Sequence, residues 1–570
     1  MKKIYSHIAA AFLLSTSFQQ IHAQVNTSDS LALVDLYNYT DGPHWRNNTN
    51  WLTTKPVSTW YGVNVTNNRV AKLSLFKNTL GDTIPASFGN LSALVFVNFG
   101  SNKITGPLPS TIGNLSSLEK MLISFTNISG AIPPEIGNCS QLQQLVLNYS
   151  FFTDSIPASI GKLKNLVYLD ISNNLYMEGK IPSSIGSLIK LRHLNLFQTG
   201  LSGKIPAKIG NLTNLTFLSL GSNGLTGSLP SEIGNLSALK TFDLSFNLLG
   251  GSLPVSIGNL SSLEFLYLYA NAFSGNIPTE IGNLTNIKEI DFRNNYFSGS
   301  IPASIGNCTK LEKLNIYTNQ LSGTIPDGIG NMPDLKELIL YDNKLSGSLP
   351  AAIGNLTQLT SLLVDHNNLT GTIPRLLNSN CLAEVSDNYY TFDAFDPYNQ
   401  TISAFFYSPQ ANIPLHKNGN TFSVSAGGIL THNTYKWYKN GVLFQTKTGD
   451  STLTTTQAGS YYVQVKNSVA TSLTLTSTTL SSAPAAITFN ITPNPASNFI
   501  NVSILKNDGA LSFTGARGTI NIYDNEGRKI LSQQFTGSRQ QVNISKLHRG
   551  NYRLVINTDG TTGEKQFMKE

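Results

Sequence analysis

The residue types that carry most protein chemistry are thinly scattered along this chain of 570 residues. Its eight histidines form no HExxH or other metal-ligand spacing. Cys139, Cys308 and Cys381 are too scattered for a disulfide framework or a metal site. Gly179-Lys180 and Gly203-Lys204 imitate the end of a phosphate-binding loop. Each is followed by Ile rather than Ser or Thr, and neither has the earlier glycine such a loop needs. No pair of carboxylates is singled out for glycoside hydrolysis. The expectation is a non-enzyme with no cofactor and no metal. One pattern does suggest chemistry, of a noncovalent kind. Counted back from a recurring proline, the position eleven residues earlier holds Asp243, Tyr267, Asp291 and Asn315 in successive copies. The position nine earlier runs Phe197, Gly221, Ser245, Tyr269, Arg293, Tyr317, Tyr341 and Asp365. Tyr and Arg combine a large contact area with a polar tip, which makes good contact centres. The position eight earlier, at the edge, contributes Phe125, Tyr149, Phe246, Asp342 and His366.

The elements that position these residues follow from a repeat, LxxLxxLxLxxNxLxGxIPxxIGN. Its prolines are Pro85, Pro109, Pro133, Pro157, Pro182, Pro206, Pro230, Pro254, Pro278, Pro302, Pro326, Pro350 and Pro374, spaced by 24 residues except for one step of 25. A fixed period of this size means a solenoid whose coils bury their apolar edges against one another. The LxL alternation predicts a short strand with two inward leucines, such as Leu218 and Leu220. The following Asn, at 78, 102, 174, 223, 247, 271, 295, 319, 343 and 367, should bond backbone groups left free where the strand turns away. Thr126, Ser150 and Thr199 replace it, so that support should weaken there. The glycine before IP suits a tight bend, and the proline with the later glycine rules out a long helix. Strand alternation then puts Asp243, Tyr267, Tyr269, Asp291, Arg293, Tyr317 and Tyr341 on the exposed inner face. A column of Ser or Thr four before ten of the thirteen prolines belongs to the repeat itself.

This unit resembles the plant-type leucine-rich repeat of receptor kinases and polygalacturonase-inhibiting proteins, over roughly residues 71–375. The resemblance implies a right-handed superhelix with a continuous inner sheet used for binding. The transmembrane and kinase parts of those receptors have no counterpart. At the other side of residue 70, STWYGVNV (58–65) resembles the plant cap motif CxWxGVxC, with Ser58 and Val65 in place of its cysteines. The cap fold carries over and its disulfide does not. Residues 29–40 have helical spacing at Leu31 and Val34, with Asp29 or Ser28 as the expected N-cap. Trp45, Trp51 and Trp60 should cover the raw end of the core.

Composition bounds the rest. Charged residues make up 12% of the chain and the formal charge is +7 without a basic block, which argues against nucleic acid as a partner. Residues 1–23 read as a signal peptide: Lys2 and Lys3, an apolar run within Ile8 to Phe18, and the Ile21-His22-Ala23 cleavage site. That run is too short for a stable anchor, so the mature chain from Gln24 should have no transmembrane segment. Phe392, Phe395, Phe405, Phe406 and Tyr407 are the expected plugs for the last coil.

Beyond residue 411 the pattern changes to period-2 strands separated by Gly/Asn turns, which implies a β-sandwich. Trp437 and Gly459-Ser460-Tyr461 resemble the core tryptophan and tyrosine corner of immunoglobulin-like domains, with Val463 where the second cysteine would fall. A last all-β block holds ITPNPASNFINVSI, INIYDNEGRKI, VNISKLHRGNYRLVI and KQFMKE in that order. It resembles the type IX secretion C-terminal sorting domain of Bacteroidetes-type bacteria. That resemblance assigns sorting to Pro493, Asn494, Pro495, Gly527, Arg528, Leu547, Gly550, Tyr552 and Lys565.

The expected organisation is therefore mainly β: a signal peptide (1–23), an N-terminal cap (24–70), a leucine-rich superhelix of 13 repeats (71–395), a linker and immunoglobulin-like sandwich (396–483) and a sorting domain (484–570). The expected function is that of a secreted or surface-attached binding or adhesion protein. Its partners would be a protein, peptide or glycan on the inner face, and the type IX secretion machinery. Polysaccharide binding or enzyme inhibition is the alternative, and a hydrolase with unrecognised carboxylates is a remoter one.

Overall fold

The computed structural model describes residues 25–395, 402, 404–482, 488–505, 517–558 and 561–570. The signal peptide and the Gln24 start expected from sequence lie outside these residues. The chain divides into two compact units, Met1–Ala411 and Asn412–Glu570.

In the first unit each coil from Phe96–Asn98 onward begins with a strand of only three residues, its middle side chain inward. Leu218, Phe242, Leu266, Ile290, Leu314 and Leu338 stack this way. Two residues on, Leu220, Leu244, Leu268 and Phe292 turn inward again. After an antiparallel first pair, Val63–Thr66 with Arg69–Ser74, neighbouring strands pair in parallel, with Phe217, Thr241, Phe265, Glu289, Lys313 and Glu337 in one rank. The resulting sheet has 16 strands, from Val63–Thr66 to Ala404–Phe406.

After the strand the residue before each ladder Asn takes a left-handed conformation, at φ between 50° and 60°, with no glycine at any of these positions: Phe246, Ala270 and Asn294 are examples, and Phe125 and Tyr149 do the same before Thr126 and Ser150. The chain then runs through a second parallel sheet to the glycine that precedes IP. Gly227, Gly251 and Gly275 have φ of 74° to 78° there, and Asp82 and Asp154 occupy the same region where the glycine is missing. The proline caps a five-residue 3₁₀ turn, as Pro230 does for Ser231–Asn235, where Ile233 N–H bonds the Pro230 carbonyl at 3.1 Å. Proline has no N–H to lose at that boundary. Twelve coils carry this turn, ending with Ala351–Asn355. The second sheet is interrupted at the 25-residue coil, between Tyr176–Met177 and Ser202–Gly203.

The N-terminal helix spans Thr27–Tyr39, and its cap is Asn26, not Ser28 or Asp29. Asn26 takes the Ser28 N–H. Asp29 is instead fully buried, where its carboxylate receives Arg69 Nε and Nη2 and the Val70 N–H at 2.7 Å. The helix is thereby tied to the first coil by a residue that sequence had placed at its end. Its buried face is Ala32, Leu33 and Leu36; Leu31 is exposed. Trp45, Trp51 and Trp60 are buried and pack ring to ring at 4.8–4.9 Å. At the far end Phe392 and Phe395 are buried, and Phe395 meets Tyr390, Phe405 and Tyr407. Phe406 lies on the outward rank beside Glu384 and is exposed, so it is no plug.

The second unit contains two sandwiches. In the first, Leu415–Asn418, Thr421–Val424 and Thr452–Thr454 face a five-stranded sheet with Asn433–Lys439 and Gly459–Asn467 at its centre. Phe422 and Tyr461 meet across the gap at 4.7 Å over a buried Trp437 and Val463, and the Tyr461 hydroxyl donates to the Gln457 carbonyl at 2.8 Å. The second sandwich packs Thr488–Thr492, Phe499–Leu505 and Arg539–Asn543 against a four-stranded sheet of Arg517–Tyr523, Lys529–Thr536, Gly550–Thr558 and Thr561–Lys569. Its core includes Ile500, Val502, Ile520, Ile522, Leu554, Ile556 and Phe567. Among the described residues no helix is long and apolar enough to cross a membrane.

Candidate ligand-binding surface

The inner sheet is held rigid from behind by the Asn ladder. Asn102 Nδ2 donates to the Leu75 and Phe99 carbonyls at 2.8 Å, and its Oδ1 accepts from Asn78 and Leu80 N–H groups at 2.9 and 3.0 Å. The same pattern recurs at Asn223, Asn247, Asn271, Asn295, Asn319, Asn343 and Asn367. At Thr126 and Ser150 it is replaced by one hydroxyl–hydroxyl bond of 2.9 Å. Asn388 and Gln410 prolong it past the regular repeats, bonding the Val364 and Val385 carbonyls. Their spacing is shorter than the period, so the pattern alone did not reveal them.

On this frame Tyr269, Arg293, Tyr317 and Tyr341 form one continuous stack over four consecutive coils. The Arg293 guanidinium lies 4.2 Å from the Tyr269 ring centroid and 5.8 Å from that of Tyr317, and Tyr317 stacks on Tyr341 at 4.2 Å. Phe246, on the rank beside it, closes the other end with an edge contact to Tyr269 at 5.1 Å. Asp291 anchors Arg293 at 3.2 Å from beneath. Burial pushes the Asp291 carboxyl up to about 6, opposed by the Arg293 charge. Tyr267 sits one rank aside, where its hydroxyl donates to Glu289 at 3.1 Å; burial raises its pKa, with help from Glu289. Asp243 is occupied internally, accepting from Ser219 Oγ, Ser245 N and Ser245 Oγ.

Sequence counting missed a rank. The three-residue strands expose the position thirteen before the proline as well as the one eleven before, and the position nine before lies just after the strand. The added rank contains His193 and Phe217 and, fourteen before Pro182 in the 25-residue coil, Tyr168; the three stack face to face at 4.1 and 4.3 Å. Burial between these rings lowers the His193 pKa. Period-2 alternation carried two residues further back finds it. Beside that rank, Lys240, Glu264 and Lys288 link successive coils through Glu264 at 3.1 and 2.7 Å, and Glu312 pairs with Lys336 at 2.6 Å. At the C-terminal end His366 lies 2.8 Å from Asp365 and 3.6 Å from Asp387.

The three cysteines are buried and unpaired, and burial pushes Cys139 and Cys381 up to about 11 and Cys308 up to about 12. Among the described residues no group of three or more His, Cys, Asp or Glu could hold a metal ion.

The residues singled out for sorting fall at turns and edges of the last sandwich, except Tyr552 and Leu547, which join or pack on its core. Asn494 Oδ1 takes the Met568 N–H at 2.8 Å, and Ala496 pairs with the final strand. Pro493 and Pro495 flank this junction. Gly527, at φ 78°, and Arg528 close a turn around Asp524, whose carboxylate accepts Arg528 N and Nε at 2.9 and 2.8 Å. The Tyr552 hydroxyl donates to the His548 carbonyl at 2.9 Å, Leu547 packs on the core, Gly550 opens a strand and Lys565 reaches Asn490.

Comparison with known proteins finds the repeats and the C-terminal block. Residues 207–323 match the leucine-rich repeat region family, 309–369 and 165–188 match leucine rich repeat families, and 490–570 match the secretion system C-terminal sorting domain. No curated protein sequence matches. A plant peptide hormone receptor, RGFR1, solved in complex with RGF2, is 34% identical over 58% of this chain and 57% of that one, at a TM-score of 0.56. A TDR receptor is 32% identical over 59% and 63%, at 0.53. The Arabidopsis receptor kinase HAESA ectodomain, solved in complex with an IDA peptide hormone ligand, is 26% identical over 67% and 73%, at 0.51. The chain thus spans 57% and 63% of the first two receptors. It carries leucine-rich repeats built like receptor ectodomains and a type IX sorting domain, which directs it to secretion or to the outer surface, as in Bacteroidetes.

Proposed function

We propose that this is a surface-recognition protein that binds a polypeptide on the inner face of its superhelix, with adhesion as the use. The immunoglobulin-like sandwich serves as a spacer and the last domain as the export address. The observation that carries the reading is the stack of Tyr269, Arg293, Tyr317 and Tyr341. Its geometry also supports a choice among ligands. Sugars bind aromatic residues through open ring faces, whereas here the faces are taken up by one another and by the guanidinium. What remains to a ligand is a ridge of ring edges and phenolic hydroxyls, which suits backbone amides and apolar side chains.

The secreted chain is screened against host-protein, peptide and glycan arrays beside the variant Tyr269→Ala, Tyr317→Ala, Tyr341→Ala. A polypeptide hit that weakens at least tenfold in the variant, with circular dichroism and melting unchanged, supports the reading. A hit that survives moves the site to another face. A glycan hit lost in the variant supports the polysaccharide-binding alternative.

A further inference from the structure

Among the described residues, three strands of the inner sheet end on an aspartate: Tyr168–Asp170, Thr241–Asp243 and Glu289–Asp291. Two of these carboxylates meet a side-chain nitrogen. Asp170 Oδ2 accepts Asn148 Nδ2, from the coil before, at 2.9 Å. Asp291 Oδ2 meets Arg293 Nη1 at 3.2 Å. Asp243 is built like Asp170: its Oδ1 accepts the Ser245 N–H and hydroxyl at 2.9 and 2.6 Å, as Asp170 Oδ1 accepts those of Ser172. Its Oδ2 accepts only the Ser219 hydroxyl, at 2.8 Å. A carboxylate offers about four lone-pair sites, so three donors leave one free, on Oδ2. The residue that stands to Asp243 as Asn148 stands to Asp170, 22 positions earlier, is Gly221. It has no side chain to give, although a β-carbon there would lie 2.9 Å from Asp243 Oδ2. Asp170 and Asp291 are 5% and 3% exposed, whereas Asp243 is half-buried, so its carboxylate still meets solvent.

We propose that Asp243 determines specificity on the inner face: its Oδ2 takes a lysine or arginine side chain of the bound polypeptide, in the place that Asn148 fills on Asp170. This rests on the inner-face reading and names the chemistry of its ligand. A cation is favoured over an amide because the three donors already present are neutral, and a hydrogen bond between two charged groups is roughly twice as strong as a neutral one. The nearby Lys240 is engaged by Glu264 at 3.1 Å. The strip beyond has the same sign. From this coil to the last repeat, the ranks eleven, nine and eight before the proline hold Asp243, Asp291, Asp342 and Asp365. Against them stand Arg293, paired with Asp291, and His366, paired with Asp365. The whole chain carries +7, so this strip runs against the sign of the molecule and draws a cationic segment towards it. Asp243 lies one coil before Tyr269, which puts the basic side chain at one end of the stack and the rest of the segment along it.

The test selects displayed random peptides on the full secreted chain. A length of about twelve residues suffices, since roughly six extended residues span the four coil steps from Asp243 to Tyr341. Peptides that also bind the variant Tyr269→Ala, Tyr317→Ala, Tyr341→Ala are discarded, and the rest are measured by fluorescence anisotropy. Each should hold one Lys or Arg whose replacement by Gln weakens binding about tenfold or more, as loss of a hydrogen bond between charged groups does. On Asp243→Asn, which keeps the shape and the acceptor for the Ser245 N–H, the same replacement should cost less than about threefold. Gly221→Asn supplies the donor that Asn148 gives Asp170. It crowds only the ends of the Asp243 and Ser245 side chains, and should weaken the parent peptides as Asp243→Asn does, with melting unchanged. Stack-dependent peptides that need no basic residue, or need Asn or Gln in its place, overturn the proposal and leave the inner-face reading standing. So does a basic residue that costs as much to replace on Asp243→Asn as on the parent. If no peptide depends on the stack, the inner-face reading fails and this inference falls with it.

Discussion

Changing Asn295 separates a scaffold role from a decorative one. Its Nδ2 donates to the Leu268 and Phe292 carbonyls at 3.0 Å, and its Oδ1 accepts the Phe273 N–H at 3.0 Å. The residue is 6% exposed. Asn295→Ala leaves three buried backbone groups without these partners. At about 1 kcal/mol of net stability per hydrogen bond, and more where no water enters, the loss is about 3 kcal/mol. Asn295→Asp is isosteric, yet it should cost more than alanine, because a carboxylate then faces two carbonyl oxygens. That excess should shrink at acid pH: the folded carboxyl pKa is raised, so its penalty is present above that value and fades as pH falls through it. The control is Asn283→Ala on the exposed turn, expected within about 0.5 kcal/mol of the parent. Urea unfolding gives the totals, and hydrogen exchange at the Phe273 amide reads the site itself, with protection falling by about 100-fold. An Asn295→Ala chain within 1 kcal/mol of the control, with the Phe273 amide still protected, would show that the ladder is not what holds the coils.

Two glycines of one coil should respond differently to alanine. Gly275→Ala meets only Ser252 Cβ at 3.6 Å, so its cost is the strain of φ 74°, about 1–2 kcal/mol. Gly282→Ala drives a Cβ into the Ser304 carbonyl oxygen of the next coil and must move backbone, so thermal melts should rank it the more damaging. For His366 the hydrogen bond to Asp365, then the Asp387 charge, raises the pKa. The stabilisation is full below the imidazole's unfolded value near 6.5 and is lost as pH rises through the higher folded value. The side chain is more than half exposed, so the effect stays below about 1 kcal/mol. An NMR midpoint at or below 6.5 would contradict the pairing.

What was legible in the sequence follows from the period. A repeated position reports its environment many times over, so the inward leucines, the Asn ladder and the tight bend at the glycine could all be read before any coordinates; the proline was read only as a bar to a long helix, and its capping of a 3₁₀ turn came from the structure. The glycine of IGN looked like a mere breaker of helices, since its real constraint, the carbonyl of the following coil, lies in another copy. The ends were harder for the same reason. Asp29 resembles a helix cap by local spacing, and only the fold brings Arg69 to it across 40 positions. Asn388 and Gln410 fall off the period and gave no signal. Within the candidate surface, the stack from Tyr269 to Tyr341 was visible as a column. The rank of Tyr168, His193 and Phe217 was not, because the strand was taken to start one exposed residue later than it does.

The charged rank at the side of the inner sheet bears on how such an array changes length over generations. Asn bonds, glycine bends and prolines recur with every coil, so a gene that gains or loses 24 codons keeps them all in step. Lys240, Glu264, Lys288, Glu312 and Lys336 alternate in sign and therefore repeat only every second coil. Excising one coil from this stretch sets lysine beside lysine or glutamate beside glutamate, whereas excising two restores the alternation. The difference is small, since exposed pairs of this kind contribute at most about 1 kcal/mol each, but it favours gain or loss of coils in twos.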